Sequence, residues 1–286
     1  MLRKDVFRSA FARPSEGRST VDPAEIERFS RLAEEWWKPD GAFRLVHAFN
    51  TVRVSYLLAR LPQLFGRDPH CPEPLQGLRL IDVGCGAGLV SEPMSRTGAE
   101  TLGIDASERN ILIARDHAQK NQAPVEYRHA LAGDLLAEGH SGDVVLTLEV
   151  VEHVANLDRF VGEIAALVRP GGSLIVGTLN RTMSSFVKAI IGAEYVLGWL
   201  PRGTHDWRKF VKPAELERML AQHGFALIET AAVDLNPLTM RWRVGGKATT
   251  NFLQIYQRPV EPVARPVSNL PMRLSRQGRC DAPPLS

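Results

Sequence analysis

Short apolar runs alternate with helical stretches from residue 78 onward, and this alternation restricts the fold of the 286-residue chain more than any other feature. Such alternation is typical of a mostly parallel sheet with helices on both faces. The helical patterns lie near 89–97, 107–121, 156–168 and 213–223. The predicted strands number seven: Leu78–Val83, Thr101–Ile104, Val125–Tyr127, Val144–Leu148, Leu174–Thr178, Phe225–Val233 and Thr250–Gln257.

Two helices should precede the sheet. Asp22-Pro23-Ala24-Glu25 predicts a helix start, with Asp as the cap and Pro in the first turn, and this helix should run to about Trp37. A second helix is predicted over Thr51–Leu61. A turn at Arg169–Gly172 should separate the helix at 156–168 from the fifth strand. Outside the domain at 22–258, we predict a flexible head at 1–21 and a disordered, Pro-rich tail at 259–286.

Charge and cysteine content narrow the function classes. The net charge of +3 is too small to indicate nucleic-acid binding. The three cysteines are widely spaced, with no metal signature and no disulfide framework, which favours a reducing compartment. No apolar run reaches the ~20 residues that span a bilayer. The first 18 residues carry five basic and two acidic residues, so we expect a cytoplasmic location, or the mitochondrial matrix if this head is a presequence.

A glycine loop follows the first predicted strand. Gly84, Gly86 and Gly88 form a D-x-G-x-G-x-G pattern, in which glycines let the backbone turn tightly and approach a ligand. A dinucleotide fingerprint would place its third glycine at position 89, which is Leu89. The loop therefore disfavours an NAD-dependent oxidoreductase and suits a ligand without pyrophosphate.

Asp105 ends the second predicted strand, at the same sheet edge as the glycine loop. A carboxylate there can accept hydrogen bonds from the hydroxyls of an adenosine ribose. Alone, either feature could be an ordinary turn or a helix cap. Together, on consecutive strands, they favour a nucleoside-containing cofactor.

Glu149, Glu152 and His153 follow the fourth predicted strand at this edge. If the chain turns helical there, residues three and four apart share one face, and the three side chains could converge. Two carboxylates and an imidazole suit Mg²⁺, Mn²⁺ or Zn²⁺. The alternatives are that Glu149 only positions the cofactor and that His153 acts alone as a general base.

With these motifs the sequence resembles the class I S-adenosylmethionine-dependent methyltransferases, a Rossmann-like α/β family. The resemblance implies that the glycine loop lies against the methionine part of the cofactor and that Asp105 holds the ribose. It also implies that Leu148 lies near the adenine or the sulfonium, and that Thr250–Gln257 is an antiparallel strand.

A narrower resemblance, to the ubiquinone-biosynthesis O-methyltransferases, covers about Asp22 to Gln257. Its motifs are the Trp36-Trp37 pair, F-N-T-V-R at 49–53, L-E-V-V-E-H-V at 148–154, T-L-N-R-T at 178–182, and the long motif at 190–216. This resemblance implies that Arg53 contacts the cofactor, that His153 and Glu149 are catalytic, and that Glu149, Glu152 and His153 bind a divalent ion.

The segment at 184–200 is apolar, too short to span a bilayer, and flanked by basic residues and by Trp199 and Trp207. It suits an interfacial helix on an anionic membrane, as part of a lid insertion at 181–210. A lid helix packed on the core fits the pattern equally well. A polyprenyl substrate dissolved in the membrane would favour the interfacial helix.

The resemblance implies O-methylation of catechol-type polyprenyl intermediates, 2-polyprenyl-6-hydroxyphenol and 3-demethylubiquinol. The expected partners are this substrate, an anionic surface of the inner membrane and other proteins of ubiquinone biosynthesis. The alternatives are a methyltransferase with another small-molecule substrate and a non-catalytic cofactor-binding subunit of a membrane-associated complex.

Overall fold

A computed structural model describes residues 19–38, 41, 44–182, 207–236, 239, 241–246 and 248–260. Most of the predicted head, the central part of the lid insertion and nearly all of the Pro-rich tail lie outside these ranges. Among the described residues, no helix is long and apolar enough to cross a bilayer.

The described residues form one sheet of eight strands in the order β3-β2-β1-β4-β5-β8-β6-β7. Strands β1 to β5 pair in parallel, and β8 lies antiparallel between β5 and β6, as the resemblance implied. The strands are β1 Arg79–Val83, β2 Glu100–Asp105, β3 Val125–His129, β4 Gly142–Leu148, β5 Val168–Leu179, β6 Ala226–Asn236, β7 Arg241–Val244 and β8 Asn251–Gln257.

Seven α-helices connect and cover these strands within the described ranges. They are α1 Pro23–Arg31, α2 Arg44–Leu64, α3 Ser91–Ser95, α4 Glu108–Lys120, α5 Ala132–Ala137, α6 Leu157–Ala166 and α7 Pro213–Gln222. Asp22 caps α1 as predicted, since its side chain accepts from the Ala24 N–H at 3.1 Å. The helix ends earlier than predicted, and a single 3₁₀ turn at Ala33–Glu35 follows.

The sheet has eight strands, so the prediction of seven was wrong. The missed strand is β7, an edge strand that pairs antiparallel with β6. It is short and alternates arginines, which are exposed, with Trp242 and Val244, which pack towards α2. A search for continuous apolar runs overlooks such a strand, because only one of its faces is buried.

The predicted turn at Arg169–Gly172 belongs to β5. Gly171 has a φ of 81°, and its N–H donates to Arg258 O at 2.8 Å, while Arg258 N donates to Gly172 O at 2.9 Å. Pairing with the chain after β8 therefore holds the Pro-Gly-Gly stretch within β5, where the register with β4 shifts between Val168 and Ser173. Cys85 is free and buried.

Two apolar clusters cover the two faces of the sheet. Successive residues of β4 and β5 alternate between them: Val145 belongs to the cluster packed under α6 and α7, and Val144 and Leu146 belong to the cluster packed under α2. This double burial explains why the central strands read as continuous apolar runs. The arrangement leaves the carboxyl ends of β1, β2 and β4 together at one edge.

Candidate active site

The glycine loop leaves β1 at this edge in a conformation that requires glycine. Gly84, Gly86 and Gly88 have φ values of 77°, 55° and 90°, which residues other than glycine rarely adopt. A Cβ at Gly84 would lie 2.3 Å from Cγ2 of Val150, and one at Gly88 would lie 2.1 Å from the hydroxyl oxygen of Tyr127. A larger residue at Gly84 would therefore break the contact with the loop after β4, and one at Gly88 would displace Tyr127 of β3.

Asp105 stands beside the glycine loop at the end of β2, as the sequence predicted. Its Oδ2 accepts from Gly86 N at 2.9 Å, and its Oδ1 accepts from Ser107 N at 2.8 Å and from Asn110 Nδ2 at 3.2 Å. Burial raises the pKa of Asp105, and the two backbone donors oppose that rise. The carboxylate is thus fixed against the loop, and Oδ2 has one acceptor position beyond Gly86 N for a further donor.

Glu149, at the end of β4, has a left-handed backbone. Its φ is 58°, which is strained for a residue with a side chain and is often seen at functional sites. Its N–H donates to Gly177 O at 2.8 Å, and the next residue, Val150, packs on Gly84. The strained turn thus directs Glu149 along the sheet edge towards α2, while Leu148 before it stays buried.

Arg53, on α2, meets Glu149 at this edge. Its Nη1 donates to Glu149 Oε1 at 2.8 Å, its Nη2 donates to Asn50 Oδ1, and its guanidinium lies 3.9 Å from the centroid of the Phe49 ring. The side chain is only 3% exposed. Burial lowers the pKa of Arg53, and the charge of Glu149 counteracts that effect. The pair is partly buried, so loss of Glu149 would leave an uncompensated buried charge.

Glu152 is buried beneath this pair. Its Oε2 accepts from the Thr178 hydroxyl at 2.8 Å, and its Oε1 has no hydrogen-bond partner. Burial, with the charge of Glu149 adding to it, raises the pKa of Glu152 well above its usual value.

His153 faces the N-terminal helix α1. Its Nδ1 lies 3.1 Å from Glu25 Oε2 and 3.4 Å from Arg28 Nη2, and its ring packs edge-on against Phe29, with centroids 5.0 Å apart. Burial acts to raise the pKa of Glu25, but the hydrogen bond and charge of His153 outweigh it, so the net pKa is lowered. The nearer carboxylate favours a proton on Nδ1, which makes Nε2 the acceptor nitrogen of the ring.

Glu149, Glu152 and His153 do not lie on one helix, and each contacts a different partner. Residues 151–153 form a turn rather than a helix, so the three side chains do not share one helical face. Their partners are Arg53, Thr178 and Glu25, respectively. Within the part of the chain that the structure describes, no three His, Cys, Asp or Glu side chains form a group that could hold a metal ion. Before these three side chains could bind one ion, Glu149 and His153 would have to leave Arg53 and Glu25.

The structure adds residues that the sequence prediction missed. Glu25 reaches His153, Lys209 pairs with Asp22 at 3.0 Å, and Trp36 and Asn110 lie beside Asp105. The Trp36-Trp37 pair was noticed only as a family motif. Glu25 carried no signal beyond its place in the helix cap, because its contact spans more than a hundred residues of sequence.

Known proteins match this chain over most of its length. The family model described as a methyltransferase domain matches residues 51–230. The ubiquinone biosynthesis O-methyltransferase of Mesorhizobium japonicum is 49% identical over 245 residues, which are 86% of this chain and 98% of that protein. The protein of the same name from Sinorhizobium fredii is 49% identical over 243 residues, 85% of this chain and 98% of its own.

Solved structures agree on the fold. Magnesium protoporphyrin IX methyltransferase from Synechocystis PCC 6803 with bound SAH has a TM-score of 0.53 at 19% identity, over 89% of this chain and 93% of that one. A possible histamine N-methyltransferase from Thermotoga maritima has a TM-score of 0.54 at 22% identity, over 82% and 98%. By its sequence, this chain belongs to the ubiquinone biosynthesis O-methyltransferases, a family of S-adenosylmethionine-dependent enzymes.

Proposed function

We propose that this enzyme methylates a catechol hydroxyl of polyprenyl intermediates, namely 2-polyprenyl-6-hydroxyphenol and 3-demethylubiquinol. The observation that carries this proposal is the meeting of two loops at one sheet edge. The glycine loop, which is hydrogen-bonded to Asp105, packs through Gly84 against Val150. In the sequence, Val150 lies between Glu149 and His153. A cofactor bound by the first loop would therefore lie next to the acids and the imidazole of the second.

The cofactor role is assigned to Arg53, Gly84, Gly86, Gly88, Asp105 and Leu148. The glycines permit close approach of the methionine part, and Oδ2 of Asp105 has acceptor capacity for a ribose hydroxyl. These features fit S-adenosylmethionine, which supplies the methyl group on its sulfonium. Arg53 supports this edge from α2 through Glu149, and its cation is compatible with the cofactor carboxylate.

His153 is the proposed proton acceptor. A phenolic hydroxyl has a pKa of about 10 and is a weak nucleophile at neutral pH. When the substrate oxygen bonds to the methyl carbon, the carbon–sulfur bond breaks and the hydroxyl proton passes to Nε2 of His153. Glu25 at Nδ1 fixes the ring and stabilises its protonated form.

A divalent ion at Glu149, Glu152 and His153 is a separate proposal. Its support is the chemistry of the residues, the family resemblance, and the buried Oε1 of Glu152 that has no partner. The described side chains would have to exchange partners to form such a site, because Arg53 holds Glu149 and Glu25 holds His153. The proton transfer to His153 does not depend on this ion.

The third proposal is contact with an anionic membrane surface through the insertion at 181–210, on the inner side of the bacterial inner membrane or its mitochondrial counterpart. The apolar segment lies outside the described residues. The residues on either side of it contact each other, since Trp207 Nε1 donates to Thr182 O at 3.0 Å. Lys209, just after it, reaches Asp22 and Glu25 on the side of His153. An insertion that begins and ends near His153 could bind a polyprenyl substrate in the bilayer and bring it to the site. Other proteins of ubiquinone biosynthesis would be met at the same surface.

Transfer of label tests the activity. Purified protein with labelled S-adenosylmethionine should methylate a short-chain prenyl catechol and leave the corresponding monophenol nearly unlabelled. Absence of transfer to the catechol under any metal condition would contradict the proposal. Running the assay after exhaustive chelation separates the two mechanisms: retained activity supports His153 as a general base, and loss that Mg²⁺ or Mn²⁺ restores supports the metal.

Vesicle binding tests the membrane role. Basic residues near an anionic surface contribute on the order of 1 kcal/mol each, so the protein should co-sediment with anionic vesicles and detach in high salt. A variant lacking 184–206 should still bind S-adenosylhomocysteine but lose the vesicles. Unchanged vesicle binding by this variant would rule out the segment as the contact.

A further inference from the structure

The stretch after α1 packs on the glycine loop. A Cβ built at Gly86 would lie 3.2 Å from Cζ2 of Trp36, and Trp37 Nε1 donates to Ala87 O at 2.9 Å. The Trp37 ring also stacks on His117 of α4, with centroids 3.4 Å apart. Two indole rings thus cover the loop that is proposed to bind the methionine part of the cofactor.

A hydrogen-bonded chain connects Trp36 to the ribose-binding acid. Trp36 Nε1 donates to Asn110 Oδ1 at 3.2 Å, and Asn110 Nδ2 donates to Asp105 Oδ1 at 3.2 Å. Asn110 is 2% exposed, so protein groups rather than solvent determine which end of its amide carries the oxygen and which the nitrogen. Because an indole N–H can only donate, it must meet the amide oxygen, and the amide NH₂ must then face Asp105.

This chain determines which carboxylate oxygen is left for a ligand. Ser107 N and Asn110 Nδ2 both donate to Oδ1, whereas Oδ2 receives only Gly86 N among the hydrogen bonds of the described residues. A carboxylate has about four acceptor positions. Because both acceptor positions of Oδ1 are occupied, the position that is left for a ligand is on Oδ2, beside the glycine loop. A rotated amide would instead present its oxygen to the carboxylate and repel it.

We propose that Trp36 and Asn110 are positioning residues for the cofactor: Trp36 orients the Asn110 amide, and Asn110 holds Asp105 for the ribose. This inference rests on the proposed role of Asp105. It also gives one of the two adjacent tryptophans a separate function, since Trp37 contacts the loop backbone and not the acid.

Three substitutions test the chain. Trp36→Phe keeps a ring over Gly86 but removes the donor, and it should weaken S-adenosylhomocysteine binding by about fivefold, the typical effect of one hydrogen bond. Asn110→Ala should weaken it by a similar factor. Asn110→Asp should weaken it more, because it places a second carboxylate beside Asp105. At saturating S-adenosylmethionine, kcat of Trp36→Phe should stay unchanged while KM for the cofactor rises.

Glu34→Gln is the matched control. Glu34 and Arg109 form a further contact between the stretch after α1 and α4, at 3.2 Å, but both side chains are more than half exposed. This substitution should change neither cofactor affinity nor melting temperature. This control shows whether Trp36 and Asn110 act by positioning Asp105 or only by attaching the stretch after α1 to α4.

A double-mutant cycle decides whether Trp36 acts through Asp105. If it does, Trp36→Phe should have no further effect in an Asp105→Ala background. Wild-type affinity in Trp36→Phe, or an equal loss in both backgrounds, would overturn the proposal. A wild-type protein that does not bind S-adenosylhomocysteine would instead refute the cofactor assignment itself, so the two failures are distinguishable by calorimetry.

Discussion

At the scale of single residues, the site combines buried acids with few compensating charges. Asp82 is the clearest case, because it lies under the glycine loop and is 3% exposed. Burial raises its pKa to about 6, and a hydrogen bond from the Ser91 hydroxyl at 2.6 Å opposes that rise. The ionised carboxylate therefore costs folding free energy that a neutral side chain would not.

The pH dependence of stability should reveal this cost. Because the pKa of Asp82 in the folded state is raised above the usual aspartate value of 3.8, the stability that Asp82 contributes is fully present below about pH 4 and is lost as pH rises through about 6. The loss amounts to roughly 3 kcal/mol. Asp82→Asn can still accept from Ser91 but cannot ionise, so it should gain stability over the wild type between pH 4 and pH 7.5.

Urea unfolding at the two pH values measures this difference. Asp116→Asn on α4 is the control, because Asp116 is 58% exposed and forms only a surface pair with Lys120. A gain for Asp82→Asn that is the same at both pH values would show that Asp82 does not titrate as stated.

At the scale of elements, helix α1 bridges distant parts of the site. It offers Glu25 to His153 and Ser30 to Ser107, whose hydroxyl oxygens lie 2.7 Å apart. None of its own residues is buried, so its position depends on these polar contacts. We infer that α1 contributes to the site more than to the core.

Glu25→Ala should therefore affect catalysis selectively. Without the carboxylate, His153 loses its partner at Nδ1, and kcat should fall on the order of tenfold, a part of what general-base catalysis supplies. Affinity for S-adenosylhomocysteine should not change. Glu27→Ala on the same helix is the control, since Glu27 is 65% exposed and its ion pair among the described residues is with Arg31. Equal kcat in the two variants would remove Glu25 from the mechanism.

Prediction from sequence succeeded where one local pattern determines the element. The β1–β5 core, the glycine loop and Asp105 all follow from apolar runs and strand-end residues that the sheet brings to one edge. It failed for β7, whose Arg-Trp-Arg-Val alternation is buried on one face only. It also failed for the turn at 151–153, because the contact of Val150 with Gly84 and the strain at Glu149 depend on distant chain.

At the scale of the whole molecule, the sheet serves as a platform whose carboxyl edge is covered from three sides. Helix α2 brings Arg53, helix α1 brings Glu25, and Lys209 after the insertion attaches to α1. The chain before the sheet and the insertion after β5 thus meet at His153.

The central claim is that S-adenosylmethionine binds at this edge through Asp105. Titration calorimetry with S-adenosylhomocysteine, comparing wild type with Asp105→Ala, tests it most directly. Loss of a charge-assisted hydrogen bond costs about 1.5–3 kcal/mol, so the affinity should fall by roughly 10- to 150-fold. A melting temperature above the titration temperature would confirm that the variant is folded. Wild-type affinity in the folded variant would place the cofactor elsewhere and contradict the account.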